Sequence, residues 1–112
     1  MTQYLVAIHH PDDYDPSLEG QEMVDDIRAL NREMVAAGIR VFVGGLQPAY
    51  RARSLYADET GEIVVTDGPY IESKEHVGGF WVLDVDSEAE ALEWGRKAAI
   101  ACRAPVEVRA FN

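Results

Sequence analysis

Residues 79–92 read GFWVLDVDSEAEAL and combine a strand pattern with the start of a helix. Successive side chains of a strand point to opposite faces, and here one face carries Phe80 and Val82, the other Trp81, Leu83 and Val85. Because both faces are apolar, this strand must be covered on both sides. Ser87 and Glu90 form an S-x-x-E capping box, which predicts that a helix follows the strand at once.

The first strand shows the same two-sided pattern. Residues 3–10, QYLVAIHH, carry apolar side chains on both faces, and Pro11 ends the strand. Between the two strands, periodicity predicts a helix over 23–37, a strand over 39–45 and a hairpin over 51–66. The final strand is VEVRAF, residues 106–111. The predicted order is therefore β-α-β, a hairpin and a second β-α-β.

This order predicts an α+β, ferredoxin-like fold in which two helices lie on one face of an antiparallel sheet. The other sheet face would stay apolar and bare, which a monomer does not tolerate over several hundred Å². A second copy, packed face to face by two-fold symmetry, is the economical cover. We therefore expect a homodimer through the sheet face, with the barrel-like core of a dimeric α/β barrel.

Bulk composition narrows the classes of function. The 112 residues predict one domain over 1–112, and the net charge of −10 argues against nucleic acid as a partner. No stretch is apolar enough for a membrane span or a signal peptide. With a single cysteine, Cys102, no intrachain disulfide forms, and a cytoplasmic location is expected. No cofactor-binding or metal-ligand motif occurs, so we predict neither a cofactor nor a metal.

The polar segment 65–80, VTDGPYIESKEHVGGF, is the candidate wall of a site. Asp67 either shapes its Asp-Gly-Pro turn or presents a carboxylate to a cavity. His9 and His10 are the candidate general bases because imidazole titrates near neutral pH; they point to opposite faces of their strand, and the sequence leaves open which one faces the cleft. The remaining candidates are assigned to ligand binding: Tyr70, Glu72, Lys74 and His76.

This segment also resembles a known family. Its signature residues are Asp67, Gly68, Pro69, Tyr70, Glu72, Ser73, Lys74, Glu75, Gly78, Gly79 and Phe80. They resemble the DGPF branch of the YCII-related family, which implies a ferredoxin-like fold and homodimers of the dimeric α/β-barrel superfamily. The founding branch resembles an enzyme, with a proposed histidine–aspartate pair in a cavity beside the sheet. That histidine has no counterpart in the helix over 23–37, so only the aspartate carries over, as Asp67.

Two functions remain open on these grounds. The first is a homodimeric small-molecule-binding protein that acts as a cofactor-independent enzyme, isomerase- or lyase-like, with Asp67 and either His10 or His9 as an acid–base pair. The alternative is a non-catalytic ligand-sensing or accessory protein linked to transcription regulation, since chains similar to this one are sometimes associated with alternative sigma factors. Catalysis requires a titratable pair within hydrogen-bond reach in a closed cavity, whereas a binding module requires only the cavity.

Overall fold

A computed structural model describes all residues, 1–112, as six strands and two helices. In chain order these are β1 (Thr2–Pro11), α1 (Gln21–Ala36), β2 (Arg40–Gly45), β3 (Arg53–Ala57), β4 (Ile63–Asp67), β5 (Glu75–Val85), α2 (Glu88–Cys102) and β6 (Val106–Ala110). Single turns of 3-10 helix follow β1 and β2, at Pro16–Leu18 and Ala49–Arg51. Every predicted element is present, and most ends lie within two residues of their predicted positions.

Four strands form one antiparallel sheet in the order β2-β5-β1-β6. In each β-α-β unit the two strands run parallel but are separated by a strand of the other unit, which is the ferredoxin-like arrangement. The α+β fold with an antiparallel sheet and two helices is thus confirmed. One apolar face of each central strand, β1 and β5, packs against the helices, and the other lies on the sheet face that the chain itself leaves without a covering layer.

The core lies between the helices and one face of the sheet. Val6 of β1, Leu83 and Val85 of β5 and Met34 of α1 are fully buried there. Trp81 is buried beside them and donates its indole N–H to the side-chain oxygen of Asn31 at 2.9 Å, so its polar atom is satisfied inside the core.

The helix ends follow the chemistry of their residues. The Ser87 hydroxyl accepts from the Glu90 amide at 3.2 Å, which confirms the predicted helix start, while the Glu90 carboxylate reaches the amide of Asp86. After α1 the chain turns at Gly38 with φ of 71°, a left-handed conformation that favours glycine. Neither helix has the length and apolar character that crossing a membrane requires.

Strand β5 is longer than its sequence pattern predicts. The sequence predicts a start at Gly79, but the strand begins at Glu75. Of the four added residues, Glu75, His76 and Val77 pair with the end of β1, and Gly78 does not. Between Ile8 and His9 the register of β1 on β5 shifts by one residue, and Gly78 is the extra residue on β5. This is a β-bulge, and such an insertion interrupts the alternation by which the strand was recognised.

The sheet face opposite the helices is apolar and carries no layer of its own chain. Its central residues are Leu5, Ala7, Phe42, Phe80 and Val82, placed by their register across β1, β5 and β2. Phe42 is 52% exposed, and its ring lies 5.7 Å from that of Phe80. Polar residues at the neighbouring strand ends surround these apolar side chains. One carboxylate oxygen of Asp84 is buried without a hydrogen-bond partner.

Strands β3 and β4 form a separate two-stranded hairpin. The radius of gyration is 16.1 Å, against about 13 Å for a compact chain of this length, because the hairpin extends from the body. One hairpin face exposes Leu55, Ile63 and Val65. An isolated hairpin is marginally stable in water, so this arm is the least supported part of the chain.

We expect the Leu83→Ala variant to lose about 3 kcal/mol of unfolding free energy, because it leaves a cavity at a residue with no exposed surface. The matched control, Leu92→Ala, removes the same atoms from a side chain that is 52% exposed, and its loss should stay within about 0.5 kcal/mol. Urea denaturation at one fixed protein concentration measures both. Equal losses for the two variants would contradict the assigned core.

Candidate functional site

A cleft of about 230 Å³ opens at the end of the sheet where β1 ends and β5 begins. The loops after β1 and after β2 form its sides, and the bulged start of β5 forms its floor. The polar side chains that line it are His10, Asp12, Tyr14, Glu19, Gln47 and His76. The cleft therefore lies on the helix side of the sheet, beyond the last layer of the core.

The bulge at Gly78 brings two histidines to the same side. His10 and His76 are direct cross-strand partners in the register of β1 on β5, so their Cβ atoms lie roughly 5 Å apart on one face. Without the extra residue, the alternation that places Trp81 on the helix face would turn Val77 into the cleft and His76 away from it. The one-residue slip thus creates the histidine pair.

Gly78 is also the residue that lets the His10 ring lie flat against the strand. A Cβ at this position would overlap the imidazole of His10. Gly79 also has no room for a side chain. A Cβ there would lie 2.9 Å from the carbonyl oxygen of Gly44 in β2. The two glycines of the signature therefore allow neighbouring groups to approach the β5 backbone closely.

Asp12 holds His76 from across the mouth of the cleft. The carboxylate oxygen of Asp12 lies 2.9 Å from Nε2 of His76, whose side chain is only 15% exposed. Asp12 is itself positioned by its backbone amide, which donates to the carbonyl of Lys74 at 2.6 Å. Because a carboxylate accepts and does not donate, this contact selects the tautomer protonated at Nε2 and leaves the lone pair on Nδ1.

Tyr14 covers His10 from the loop that follows β1. The two rings are stacked, with centroids 3.7 Å apart and planes 10° from parallel. The Tyr14 hydroxyl donates to the carboxylate of Glu19. Burial, and then this hydrogen bond to an anion, raise the pKa of Tyr14 well above its usual value, so the phenol stays protonated and keeps Glu19 in place.

His10 is neutral near pH 7. Burial under Tyr14 is the largest influence and lowers the pKa of His10; the Glu19 carboxylate opposes this, and the neighbouring His9 adds to the lowering. A neutral imidazole in a partly dehydrated cleft has a free lone pair, which is the form that a general base requires.

The cleft continues inward as an apolar pocket of about 150 Å³ between β2, β5 and α1. Its lining includes Ile8, Met23, Ile27, Val43, Trp81 and Cys102. Burial raises the pKa of the Cys102 thiol to about 11, so this cysteine is an apolar wall and not a nucleophile. The site as a whole has a polar mouth and an apolar interior, which is typical of a pocket for a small organic molecule.

The structure separates the residues that the sequence nominated. His10 and His76 meet in the cleft, whereas His9 lies on the opposite sheet face, 3.9 Å from a carboxylate oxygen of Glu107. Asp67 ends the hairpin strand β4, is 86% exposed and forms an ion pair with Arg53 at 3.2 Å. Within one chain, Asp67 therefore does not join either of the histidines proposed as its partner.

The ligand-binding candidates also lie in different parts of the structure. Tyr70, Glu72 and Lys74 are exposed in the loop between β4 and β5, and Lys74 contributes its backbone carbonyl to the position of Asp12. His76 is the one candidate of this group that lines the cleft. Their roles as ligand contacts stay predictions.

Sequence reasoning missed Asp12, Tyr14 and Glu19. They lie in the segment PDDYDPSLEG, 11–20, whose acidic and proline content is typical of a solvated loop. The position of this segment in the chain could have indicated its role, since it directly follows the strand that ends in the two histidines. No three of the histidine, cysteine, aspartate and glutamate side chains are grouped so that they could hold a metal ion.

These features define a ferredoxin-like α+β domain with a histidine-lined cleft at one end of its sheet. Residues 1–111 match the YCII-related domain, and the chain belongs to this family. The chain is also 37% identical over 78 residues to an uncharacterized protein of Rhizobium meliloti (strain 1021). That match covers 70% of this chain and 62% of the relative, so it leaves more than a third of the relative outside the comparison.

We expect the imidazole of His10 to titrate below the usual histidine pKa of about 6.5, because the folded protein buries it. NMR of its Hε1 proton against pH measures the midpoint. In Gly78→Ala the added methyl displaces the ring toward solvent, and the midpoint should return toward 6.5. Because the folded pKa lies below the unfolded one, the unfolding free energy should fall as pH drops from about 6.5 through the folded pKa.

Gly45→Ala is the control for this experiment. Gly45 lines the same cleft, but a Cβ there meets no atom within 4 Å, so the His10 midpoint should not move. A midpoint at or above 6.5 in the unmodified protein, or the same shift in both variants, would contradict the description of His10.

Proposed function

We propose that this chain is a homodimeric small-molecule-binding protein that transfers a proton without a cofactor, in an isomerase- or lyase-like reaction. The observation that carries the proposal is the cross-strand pair of His10 and His76 on the cleft side of the sheet, with Asp12 bonded to His76. Two imidazoles on one face at the mouth of an apolar pocket place a proton acceptor, His10, beside a second histidine that can hydrogen-bond to a bound molecule.

The chemistry follows from the environment of each imidazole. The lone pair of neutral His10 takes a proton from a carbon next to a carbonyl group, and the electron pair left behind moves into the enolate. Return of a proton at a neighbouring atom completes an isomerisation, and departure of a leaving group completes an elimination. The proton held by His10 is the one that returns. Asp12 fixes the tautomer of His76, whose free Nδ1 lone pair is placed to accept a hydrogen bond from the reacting molecule.

The signature residues support assignment to the DGPF branch of the family. In this branch Asp67 is the residue that carries over from the enzyme-like relatives, and we retain it as a candidate site residue. Within one chain, Asp67 is paired with Arg53 on the hairpin, so Asp12 is the carboxylate that takes part in the cleft chemistry. The single cysteine is free and buried, which supports a reducing compartment such as the cytoplasm.

The sheet face supports the dimer. Its centre is apolar and its rim is polar, which is the anatomy of a protein–protein interface. A second copy packed on this face would cover the apolar centre and close two open sheets into a barrel.

A second function is favoured by the hairpin. Leu55, Ile63 and Val65 form an exposed apolar face on an arm that extends from the body. A non-catalytic accessory or ligand-sensing protein, linked to transcription regulation, would use this arm to contact another protein. The cleft would then bind a ligand without converting it.

Deuterium exchange tests the proton transfer. The protein is incubated in D₂O with acetophenone, phenylacetone and α-aminoacetophenone, and loss of the α-proton signal is followed by ¹H NMR. We expect at least one compound to exchange faster than in buffer, and His10→Gln to reduce the rate by roughly 10²-fold or more. Asp12→Asn should cost less, on the order of tenfold, because Asp12 is exposed and its charge is screened.

His9→Gln is the matched control, since His9 is the next histidine in the chain but lies on the other sheet face. Its exchange rate should stay close to that of the unmodified protein, because His9 has the smallest of the three influences on the pKa of His10. Exchange no faster than in buffer for all three compounds, or equal loss in His9→Gln and His10→Gln, would reject the proton-transfer function and favour the accessory protein.

Light scattering tests the dimer. The mass should be about 25 kDa, twice the 12.4 kDa of one chain, and Phe42→Glu should shift it to 12.4 kDa because a charge enters the centre of the apolar face. Leu92→Glu is the control, because Leu92 has the same 52% exposure but lies on α2. A monomer in the unmodified protein, or dissociation of both variants, would rule out the sheet face as the interface.

A further inference from the structure

The charges around the cleft are one-sided. Two carboxylates, Asp12 and Glu19, line its mouth, and no lysine or arginine lines either the mouth or the apolar interior. We infer that the cleft selects a small organic cation, an ammonium group on a compact apolar body, over a carboxylate of the same shape. This inference names the ligand class for the cleft of the proposed function and rests on that proposal.

Each carboxylate retains acceptor capacity for a ligand. Glu19 accepts one hydrogen bond from Tyr14, and Asp12 contacts His76 through one oxygen. A carboxylate has two oxygens and about four acceptor sites, so both groups still have free lone pairs. The Tyr14 phenol is neutral, and it holds Glu19 in place without neutralising its charge.

The histidines do not restore a positive charge to the mouth. Burial keeps His10 neutral near pH 7. When His76 is protonated, its charge is balanced by Asp12 at 2.9 Å. The mouth therefore carries a negative charge from Glu19 that no group in its lining offsets.

The nearest basic residues are occupied or turned elsewhere. Arg103 lies in an adjoining groove and is bound to Asp26 at 2.9 Å. Arg51 lies in the groove on the other side, above the ring of Tyr50 at 5.9 Å. Lys74 meets the cleft only through its backbone carbonyl. An anionic ligand would thus enter without a counter-charge, against a chain whose net charge is −10.

The apolar interior determines the size and polarity of the rest of the ligand. Its walls are aliphatic and aromatic side chains of the core, including Ile27, Val43 and Trp81, within about 150 Å³. This space suits one ring or a short branched chain, and the buried thiol of Cys102 is neutral and adds no charge. A ligand that places its apolar body here directs its polar end toward Glu19 and the histidine pair.

The test compares three probes of nearly equal shape: benzylamine, benzyl alcohol and benzoate. Each is titrated at pH 7 into the ¹⁵N-labelled full chain, and dissociation constants are taken from the shifts of the Gly78, His76 and Leu46 amides. We expect benzylamine to bind at least tenfold more tightly than benzoate, with benzyl alcohol between them. In Glu19→Gln the ratio of benzylamine to benzoate affinity should fall below threefold, because the amide keeps the contact with Tyr14 but loses the charge.

Glu59→Gln is the charge-matched control, since Glu59 lies in the exposed hairpin turn, and its ratio should stay above tenfold. Benzoate binding as tightly as benzylamine, equal loss of the ratio in both variants, or no shift at the cleft amides with any probe would overturn the inference. The deuterium-exchange rates and their dependence on His10 do not use these probes. They test the proposed function separately, so a failure of charge selection leaves that function standing.

Discussion

The antiparallel pairing of β1 with β5, and its one-residue slip at Gly78, is the constraint on which the rest of the molecule depends. Up to Ile8 the regular register buries alternate side chains of both strands under the helices. Beyond it the extra residue reverses the alternation of β5, so that His76 joins His10 on the helix side. Core and cleft are thus consecutive parts of one strand pair, and a bulge, often found next to active sites, separates them.

The same pairing determines the electrostatics of the cleft. Tyr14 and the end of the sheet withdraw His10 from water, which keeps its imidazole neutral beside the carboxylate of Glu19. A protonated His10 would be stabilised by Glu19 but penalised by burial, and burial is the larger influence. A neutral base and an unbalanced carboxylate can therefore coexist in one small site, and both the proton-transfer chemistry and the preference for a cation follow from this arrangement.

Much of the fold could be predicted from the sequence because hydrophobic periodicity reports burial directly. The two-sided strands, the helix start at Ser87 and the turn at Gly38 all rest on local chemistry. Less of the site could be predicted. His10 and His76 were nominated, but Asp12 and Glu19 lie in an acidic loop whose composition is that of a solvated surface. Their function comes from which strand end the loop covers, and composition holds no information about that.

By itself, the sequence determined the element order, the antiparallel α+β class and the existence of an apolar sheet face, because these depend on spacing along one chain. Only the tertiary structure decided which histidine faces the cleft, that Asp12 bonds to His76, and that Asp67 lies on the hairpin instead. The physical reason is the register between strands: a shift of one residue exchanges the two faces, and neither strand records that shift on its own.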